Sequence, residues 1–307
     1  MMLFGVSRHR RRAQIQNLLS SHMSPDGFGC SRVTSVYFDT PAHELIGRSM
    51  DKPLYKEKLR IRAYGDDAGD ALVAAFDNGL GRARHAPVRS DIAVYVELKK
   101  KYAGVVYKRR FACSLPAAKA YVAGASYPEA CAAYPLLDDE AQIGAGGAVD
   151  LQVASEIGAM LGRYDALGAS LGIECRRVAW APDPGADWAW GDLRVTFDAD
   201  LRCRDLAGFG ERGRRSEARR GPAHSRNAST LRRDGARVGD RNAGRGGEWF
   251  PVISPDESIM ELKSSTPLPL ELAEALAQMR VYPRSFSKCG AAWALLSQST
   301  LKGGRCA

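Results

Sequence analysis

Residues 55–65 read YKEKLRIRAYG, and within them the cationic side chains of Lys58, Arg60 and Arg62 alternate with the apolar side chains of Leu59 and Ile61. Successive side chains of a β-strand point to opposite faces, so this alternation predicts a strand with one apolar and one cationic face. The apolar face suits a hydrophobic core. Because like charges on the other face repel one another, their alignment indicates that they face an anion.

The same alternation recurs in three further segments. They are DIAVYVELKK (91–100), LRVTFD (193–198) and IMELK (259–263). The charged face of one such strand usually faces water, but four strands of one design favour a curled sheet whose charged faces converge on one lumen. A lumen with arginine, lysine and a few carboxylates suits a chain of phosphates, because guanidinium groups bind phosphate oxygens in pairs and carboxylates can hold a bridging divalent metal.

Composition narrows the class of protein. The 307 residues carry a net charge of +9, and they contain neither an apolar run near the ~20 residues of a membrane span nor an apolar signal-peptide core. The sequence therefore predicts a cytoplasmic protein with no membrane span. Its seven cysteines form no CxxC pair and its five histidines are scattered, which argues against a disulfide framework and a zinc site.

Most of the net positive charge lies in residues 202–247, which hold thirteen arginines against five acids. This stretch has few large apolar residues and no regular periodicity, so it is predicted to be a disordered insertion. It could be a solvated linker or an arm that binds a polyanion. The interspersed acids and the single aromatic residue, Phe209, argue against specific nucleic-acid recognition.

Two segments have the spacing of amphipathic helices. Residues 150–171 predict one helix and residues 269–279 predict another, which would pack against the outside of the sheet. Between the strands, residues 181–191 are rich in proline and glycine and predict a loop closed by the aromatic rings of Trp188 and Trp190.

An ordered series of motifs resembles a known family. The motifs are SVYFDT (35–40), KLRIRAYG (58–65), VYVELKKK (94–101), YKRR (107–110), LRVTFDADLR (193–202), IMELK (259–263) and RSFSKCG (284–290). Together they resemble the vacuolar transporter chaperone (VTC) polyphosphate polymerase domain, of the CYTH-like or triphosphate tunnel metalloenzyme superfamily. The resemblance implies an α+β fold in which about eight antiparallel strands form a β-tunnel with flanking helices.

The resemblance and the composition together suggest a domain organisation. Residues 1–29 would be an N-terminal segment with a degenerate first strand and a helix. Residues 30–201 and 248–298 would form the tunnel domain, interrupted by the insertion at 202–247, and residues 299–307 would be a C-terminal tail.

The activity that the resemblance implies is that of a polyphosphate kinase or polymerase-type phosphotransferase. It would transfer the γ-phosphoryl group of ATP to a growing polyphosphate chain with Mn²⁺ or Mg²⁺, and a membrane protein could be a further partner. Two alternatives stay open at this point. The same tunnel could serve an inorganic triphosphatase or nucleotide phosphohydrolase, or it could be a catalytically impaired module that binds polyphosphate or another polyanion.

The resemblance also assigns roles to individual residues. Catalytic roles fall to Arg60, Arg62, Lys99, Lys108, Arg194 and Lys288. Substrate phosphate would be bound by Lys58, Arg110, Arg177, Lys263 and Ser287, and the metal by Glu261 and Glu97. Asp198 lies on the same strand face as Arg194 and is a further candidate.

Two features depart from the family pattern. The family's first strand carries an E-R-x-x-x-K-Y-like signature, and residues 1–19 contain nothing equivalent. The family's Y-x-R-x-A strand is CRRVAW (175–180) here, which keeps Arg177 but has Cys175 in place of tyrosine. No histidine or aspartate pattern accompanies Cys175, so it is predicted to be a small filler and not a nucleophile.

Overall fold

Nine strands form one antiparallel sheet in the computed structural model, which describes residues 2–7, 9–51, 53–77, 90–137, 147–164, 166–207 and 248–302. The strands are β1 (Met2–Ser7), β2 (Met23–Asp39), β3 (Tyr55–Tyr64), β4 (Ala93–Tyr102), β5 (Val105–Ser114), β6 (Gly168–Pro182), β7 (Arg194–Asp205), β8 (Phe250–Pro251) and β9 (Glu257–Lys263). Their order is β1-β9-β7-β6-β2-β3-β4-β5, and β8 pairs with β7.

Eight helices accompany the sheet in the described part of the chain. They are α1 (His9–Leu19), α2 (Glu44–Met50), α3 (Asp66–Phe76), α4 (Leu115–Val122), α5 (Tyr127–Ala133), α6 (Ala148–Leu161), α7 (Leu270–Gln278) and α8 (Lys288–Lys302). None of them has both the length and the apolar character needed to cross a bilayer. The predicted α+β fold with an antiparallel sheet and flanking helices is confirmed.

The stretch that begins the sequence analysis forms β3 as its alternation predicts. Leu59, Ile61 and Ala63 are fully buried in a hydrophobic core, whereas Arg60 and Arg62 stay partly accessible on the other face. We call the face of Arg60 and Arg62 the inner face and the opposite face the outer face.

Helices cover the outer face. Helices α3 to α6 pack on β2 to β5 through a core that includes Leu72, Phe111 and Ile157. Helices α1 and α7 pack on β7 and β9 through a second core around Phe197 and Met260. Because these helices pack on the outer face, they leave the polar side chains of the inner face uncovered.

A third core covers part of the inner face itself. Val33, Ile173 and Cys203 lie there and pack with Ala292 and Leu296 of α8. The inner face is therefore divided into an apolar part under α8 and a cationic part.

The sheet is curled but not closed. Its edge strands β1 and β5 do not pair with each other in the described residues, so the expected tunnel is open along one side. Four strands separate β4 from β9 in the sheet, yet the carboxylate of Glu261 on β9 acts electrostatically on Lys99 of β4. Burial and neighbouring cations lower the pKa of Lys99, and Glu261 opposes that change. The curl thus brings distant strands to one site.

The boundaries of the arginine-rich insertion need correction. Strand β7 continues to Asp205, past a register irregularity near Asp200, whose φ is +50°. Arg202 contacts Glu174 at 2.8 Å and Arg204 forms an ion pair with Asp77. The prediction that the insertion begins at residue 202 is therefore wrong, while residues 208–247 lie outside the described part.

Other predicted boundaries also shift. Residues 2–7 form a real strand, β1, which pairs with β9, and β2 begins at Met23, before the predicted domain start at residue 30. The helix predicted over 150–171 ends at Leu161. Leu171, which was predicted to lie in that helix, belongs to β6. The predicted tail from 299 is still helical to Lys302.

The aromatic loop is confirmed only in part. The ring of Trp190 is buried and stacks on His22 with a centroid distance of 4.2 Å. The ring of Trp188 is exposed, so it does not contribute to closing the loop.

We expect Phe111→Ala to lower the free energy of unfolding by about 3–5 kcal/mol, because it leaves a cavity beneath the rings of Tyr121 and Tyr127. Phe111 is 2% exposed, whereas Phe28 is 82% exposed. The matched control Phe28→Ala should change the free energy by less than about 0.5 kcal/mol. Equal losses in urea denaturation would contradict the assigned core.

Candidate phosphate-binding site

The strand register places the predicted site residues of β3 to β5 on the inner face. Residues that lie directly opposite one another in antiparallel strands point to the same side of the sheet. The rows are Lys58–Lys99–Lys108, Tyr37–Arg60–Glu97–Arg110 and Ser35–Arg62–Tyr95. The alternation read from the sequence therefore brings these residues together as neighbours.

The other half of the sheet contributes to the same face. Its rows are Ser31–Arg177–Asp198–Ile259, Thr196–Glu261 and Arg194–Lys263. Arg194 and Lys263 are exposed at the ends of their strands. Glu261 lies further in and contacts Lys263 at 3.3 Å.

Glu97 is the centre of the first charge cluster. Its side chain is 1% exposed, and Nε of Arg60 donates a hydrogen bond to its Oε2 at 2.5 Å. Nζ of Lys108 is 3.1 Å from Oε1, but Oε1 has no aligned hydrogen-bond donor. Arg110 is 4.0 Å from the same oxygen. Lys108 therefore forms an ion pair with Glu97 while 45% of its side chain stays exposed.

The pKa values in this cluster reflect a surplus of cations. Burial would raise the pKa of Glu97, but Arg60, Arg62 and Lys108 outweigh burial and lower the pKa to about 2. Burial lowers the pKa of Lys108, Glu97 raises it, and the charges of Arg60 and Arg62 help keep it below its usual value. A bound anion would relieve the repulsion among these cations.

The guanidinium group of Arg60 is fixed from a second side. Its Nη1 donates to the hydroxyl of Tyr37 at 3.0 Å, and its Cζ lies 5.8 Å from the centre of the Tyr37 ring. Next to it, Nε of Arg62 donates to Oγ of Ser35 at 3.2 Å. Both arginines are therefore oriented before any ligand arrives.

Asp198 is the centre of the second charge cluster. Its side chain is 1% exposed and accepts two hydrogen bonds from Arg177, at 2.6 and 2.8 Å, and one from Lys288. Burial would raise the pKa of Asp198, but Lys288 and Arg177 hold it well below its usual range. The carboxylate therefore stays charged and holds two cations on the inner face.

Cys175 lies beside this cluster. Its Sγ is 3.8 Å from Nζ of Lys288, and the side chain is buried. Burial raises the pKa of the thiol, which disfavours the nucleophilic thiolate. Its burial agrees with the prediction that Cys175 is a small filler and not a nucleophile.

Ser287 has a structural role that its sequence motif does not predict. Its Oγ accepts a hydrogen bond from the backbone N–H of Gly290 at 3.2 Å, and its carbonyl accepts one from Ala291 at 2.8 Å. These bonds cap the start of α8. The cap places Lys288 in the first turn, where its side chain reaches Asp198.

The inner face has a large excess of positive charge. Among the predicted site residues on this face, ten cations accompany three carboxylates, an excess of seven positive charges. The cations are Lys58, Arg60, Arg62, Lys99, Lys108, Arg110, Arg177, Arg194, Lys263 and Lys288, and the carboxylates are Glu97, Asp198 and Glu261. Within the described residues, Lys58, Lys99 and Arg194 form no ion pair. This charge balance suits the binding of an anionic ligand.

The carboxylates differ in their fit to a divalent metal. No three histidine, cysteine, aspartate or glutamate side chains gather into a metal site in the described chain. Glu261 is partly accessible and suits a Mg²⁺ or Mn²⁺ ion that takes its other ligands from phosphates and water. Glu97 fits less well, because cations surround both of its oxygens.

No role was predicted for Tyr37, Ser35, Tyr64 and Tyr95 from the sequence. Tyr37 and Ser35 lie two residues apart in SVYFDT and therefore share a face of β2. The period-two pattern could have located them on the inner face, but it gives no indication that they orient Arg60 and Arg62.

Comparison with protein families gives a match to the VTC domain over residues 7–76 and 77–297. Comparison with curated proteins finds no match. The family match spans nearly the whole chain, including the strands of both charge clusters. The chain therefore belongs to the VTC domain family.

Proposed function

We propose that this protein is a polyphosphate polymerase that transfers the γ-phosphoryl group of ATP to the end of a growing polyphosphate chain. Membership of the VTC domain family supports a function related to polyphosphate. The observation that carries the proposal is the excess of seven positive charges among the predicted site residues of the inner face, where ion pairs fix the directions of several cations. A chain of phosphates supplies the required counter-charge along the strands.

In the proposed mechanism, Arg60 and Arg62 bind phosphate oxygens of the donor. Glu97 and Tyr37 hold the guanidinium group of Arg60, so little reorganisation is needed when charge develops on the transferred group. Arg194 and Lys99 have no ion-pair partner in the described residues and are available to the same phosphates.

Lys108 and Lys288 would align the acceptor chain. A terminal oxygen of polyphosphate attacks the γ-phosphorus, the bond from that phosphorus to the β,γ-bridging oxygen breaks, and ADP leaves. The protein positions both groups and neutralises their charge, and no covalent enzyme intermediate is required.

A divalent metal would add a further charge to this site. When bound, Mn²⁺ or Mg²⁺ would help to neutralise the charge of the reacting phosphates. Glu261 is the residue of this chain that we expect to hold it, and Glu97 is a second, less suited candidate.

A hydrolase is the second candidate, and the position of α8 favours it. Because α8 packs on the apolar part of the inner face, it restricts the space through which a long product could extend. Water would then replace the polyphosphate end as acceptor at the same clamp. Long polyphosphate on a gel would support the polymerase, and free phosphate as sole product would support the hydrolase.

A non-catalytic polyanion-binding module is the third candidate. The lack of a carboxylate cluster in the described residues favours it. Tight triphosphate binding without turnover in Mn²⁺ or Mg²⁺ would support this candidate. Loss of nucleic-acid binding on deletion of residues 208–247, with turnover intact, would assign that binding to the arginine-rich segment alone.

The partners of the proposed polymerase follow from its reaction. They would be ATP and inorganic polyphosphate in the cytoplasm, and a membrane protein that removes the product could be a further partner. We propose no specific nucleic-acid partner.

We expect Arg60→Ala to lower the rate of polyphosphate synthesis from ATP and Mn²⁺ by about 100-fold or more, because it removes an oriented phosphate-binding group. Arg109→Ala is the matched control. Arg109 precedes Arg110 on β5, and its exposed side chain lies on the outer face. The control should keep near-normal turnover, measured by gel resolution of the product.

Arg60→Ala also leaves Glu97 with fewer cations, which could destabilise the fold. The double variant Arg60→Ala/Glu97→Gln removes that buried charge and separates the two effects. We expect it to unfold near the wild-type temperature and to remain inactive. A folded double variant with normal turnover would rule out the proposed role of Arg60.

We expect Glu261→Gln to lower metal-dependent turnover by roughly 100-fold at a fixed Mn²⁺ concentration, through loss of the carboxylate that holds the metal. Raising the Mn²⁺ concentration should restore part of the rate. Triphosphate binding in EDTA should stay within a few-fold of wild type. The control Glu274→Gln changes an exposed acid on α7 and should have no effect; equal metal dependence of Glu261→Gln and wild type would disprove the assignment.

A further inference from the structure

We propose that Tyr64 and Tyr95 form a stacking site for the base of a nucleoside triphosphate, at the end of the cationic row Lys58, Arg60 and Arg62. The inference rests on the proposed function, because it takes the triphosphate to lie over these cations. It identifies a nucleotide, and not inorganic triphosphate, as the preferred donor.

The two rings form an aromatic pair on the inner face. Tyr64 follows Arg62 by two residues on β3, and Tyr95 lies directly opposite Arg62 on β4. Their ring centroids are 5.6 Å apart with an interplanar angle of 77°. Neither ring belongs to any of the three hydrophobic cores, and Tyr64 is 39% exposed. Core packing therefore does not account for them.

Two arginines extend the aromatic pair into a cationic platform. Cζ of Arg62 lies 5.9 Å from the centre of the Tyr64 ring, and Cζ of Arg110 lies 4.8 Å from the centre of the Tyr95 ring. The side chain of Arg110 is 49% exposed. Nucleobases stack on aromatic rings and on planar guanidinium groups, and this platform contains both.

The spacing along β3 fits a nucleotide whose base lies at Tyr64 and whose phosphates extend toward Arg60. Positions two residues apart on a strand are separated by about 6.6 Å and share a face. A base at Tyr64 would thus place the phosphate nearest the sugar at Arg62. The terminal phosphate would then lie toward Arg60, where Glu97 and Lys108 form the first charge cluster.

The chemistry of the platform predicts its selectivity. Stacking is tolerant of the base, because every base has a π-face. The described contacts of Tyr64 and Tyr95 on this face are to an aromatic ring and to guanidinium groups, and a base stacked on them would be contacted on its face and not on its hydrogen-bonding edge. We therefore expect ATP and GTP to bind with similar affinity, and the ring of each tyrosine to matter more than its hydroxyl.

The test compares two ligands that differ in the nucleoside. Dissociation constants of ATP and inorganic tripolyphosphate are measured by calorimetry in EDTA, which prevents metal-dependent turnover. Tyr64→Ala and Tyr95→Ala should each weaken ATP binding by about tenfold or more. Tripolyphosphate binding should stay within about twofold, which also reports that the variants are folded.

Conservative and control variants make the result specific. Tyr64→Phe and Tyr95→Phe keep the ring and should bind ATP as wild type does. Tyr102→Ala removes an exposed tyrosine from the outer face of β4, at the end of the strand away from Tyr95, and should change neither ligand.

Each contrary outcome has a distinct meaning. Equal weakening of ATP and tripolyphosphate, or equal losses in the alanine and phenylalanine variants, would overturn the stacking site while leaving the phosphate clamp intact. The same holds if wild-type protein binds ATP no more tightly than tripolyphosphate. Failure of the wild-type protein to bind either ligand would overturn the proposed function and the stacking site together.

Discussion

The ion pairs of two buried carboxylates are the interaction on which the site depends. Cations crowded on one face of a sheet repel one another and do not hold fixed directions unless something opposes the repulsion. Glu97 and Asp198 provide that opposition, since each is almost fully buried and contacts at least two cations. Their number is too small to neutralise the face. The inner face therefore carries oriented cations and a net positive charge.

The sheet offsets the repulsion among these cations because its two faces have different roles. The outer face buries its apolar side chains under α1 and α3 to α7, which provides the stabilisation that a cationic inner face lacks. The curl then brings β4 and β9 to one site, as the effect of Glu261 on Lys99 indicates. Helix α8 closes the apolar part of the inner face and also delivers Lys288 to Asp198. One helix thus serves both packing and charge.

Much of this could be predicted from the sequence, because strand periodicity is a local property. The alternation in residues 55–65 correctly placed Arg60 and Arg62 opposite Leu59 and Ile61. Partners across the sheet could not be predicted in the same way, since the contacts of Arg60 with Tyr37 and of Lys288 with Asp198 depend on register and curl. The boundary at residue 202 failed for a related reason. Arg202 and Arg204 look like part of a charged linker in sequence, but Glu174 and Asp77 neutralise them in the fold.

The contacts across the sheet also argue for a different role of Glu97 from the one that the sequence suggests. A carboxylate in a phosphate site is readily interpreted as a metal ligand, and the family resemblance suggests it. In this structure, however, Arg60 occupies one of its oxygens, and Lys108 and Arg110 lie beside the other. A metal bound there would have to displace cations that are held by a carboxylate whose pKa is lowered to about 2. Among the residues that the structure describes, Glu261 forms an ion pair with Lys263 alone, and it is more accessible than Glu97. The burial of the two acids therefore separates their proposed roles, with Glu97 orienting the cations proposed to bind phosphate and Glu261 more accessible to a proposed metal.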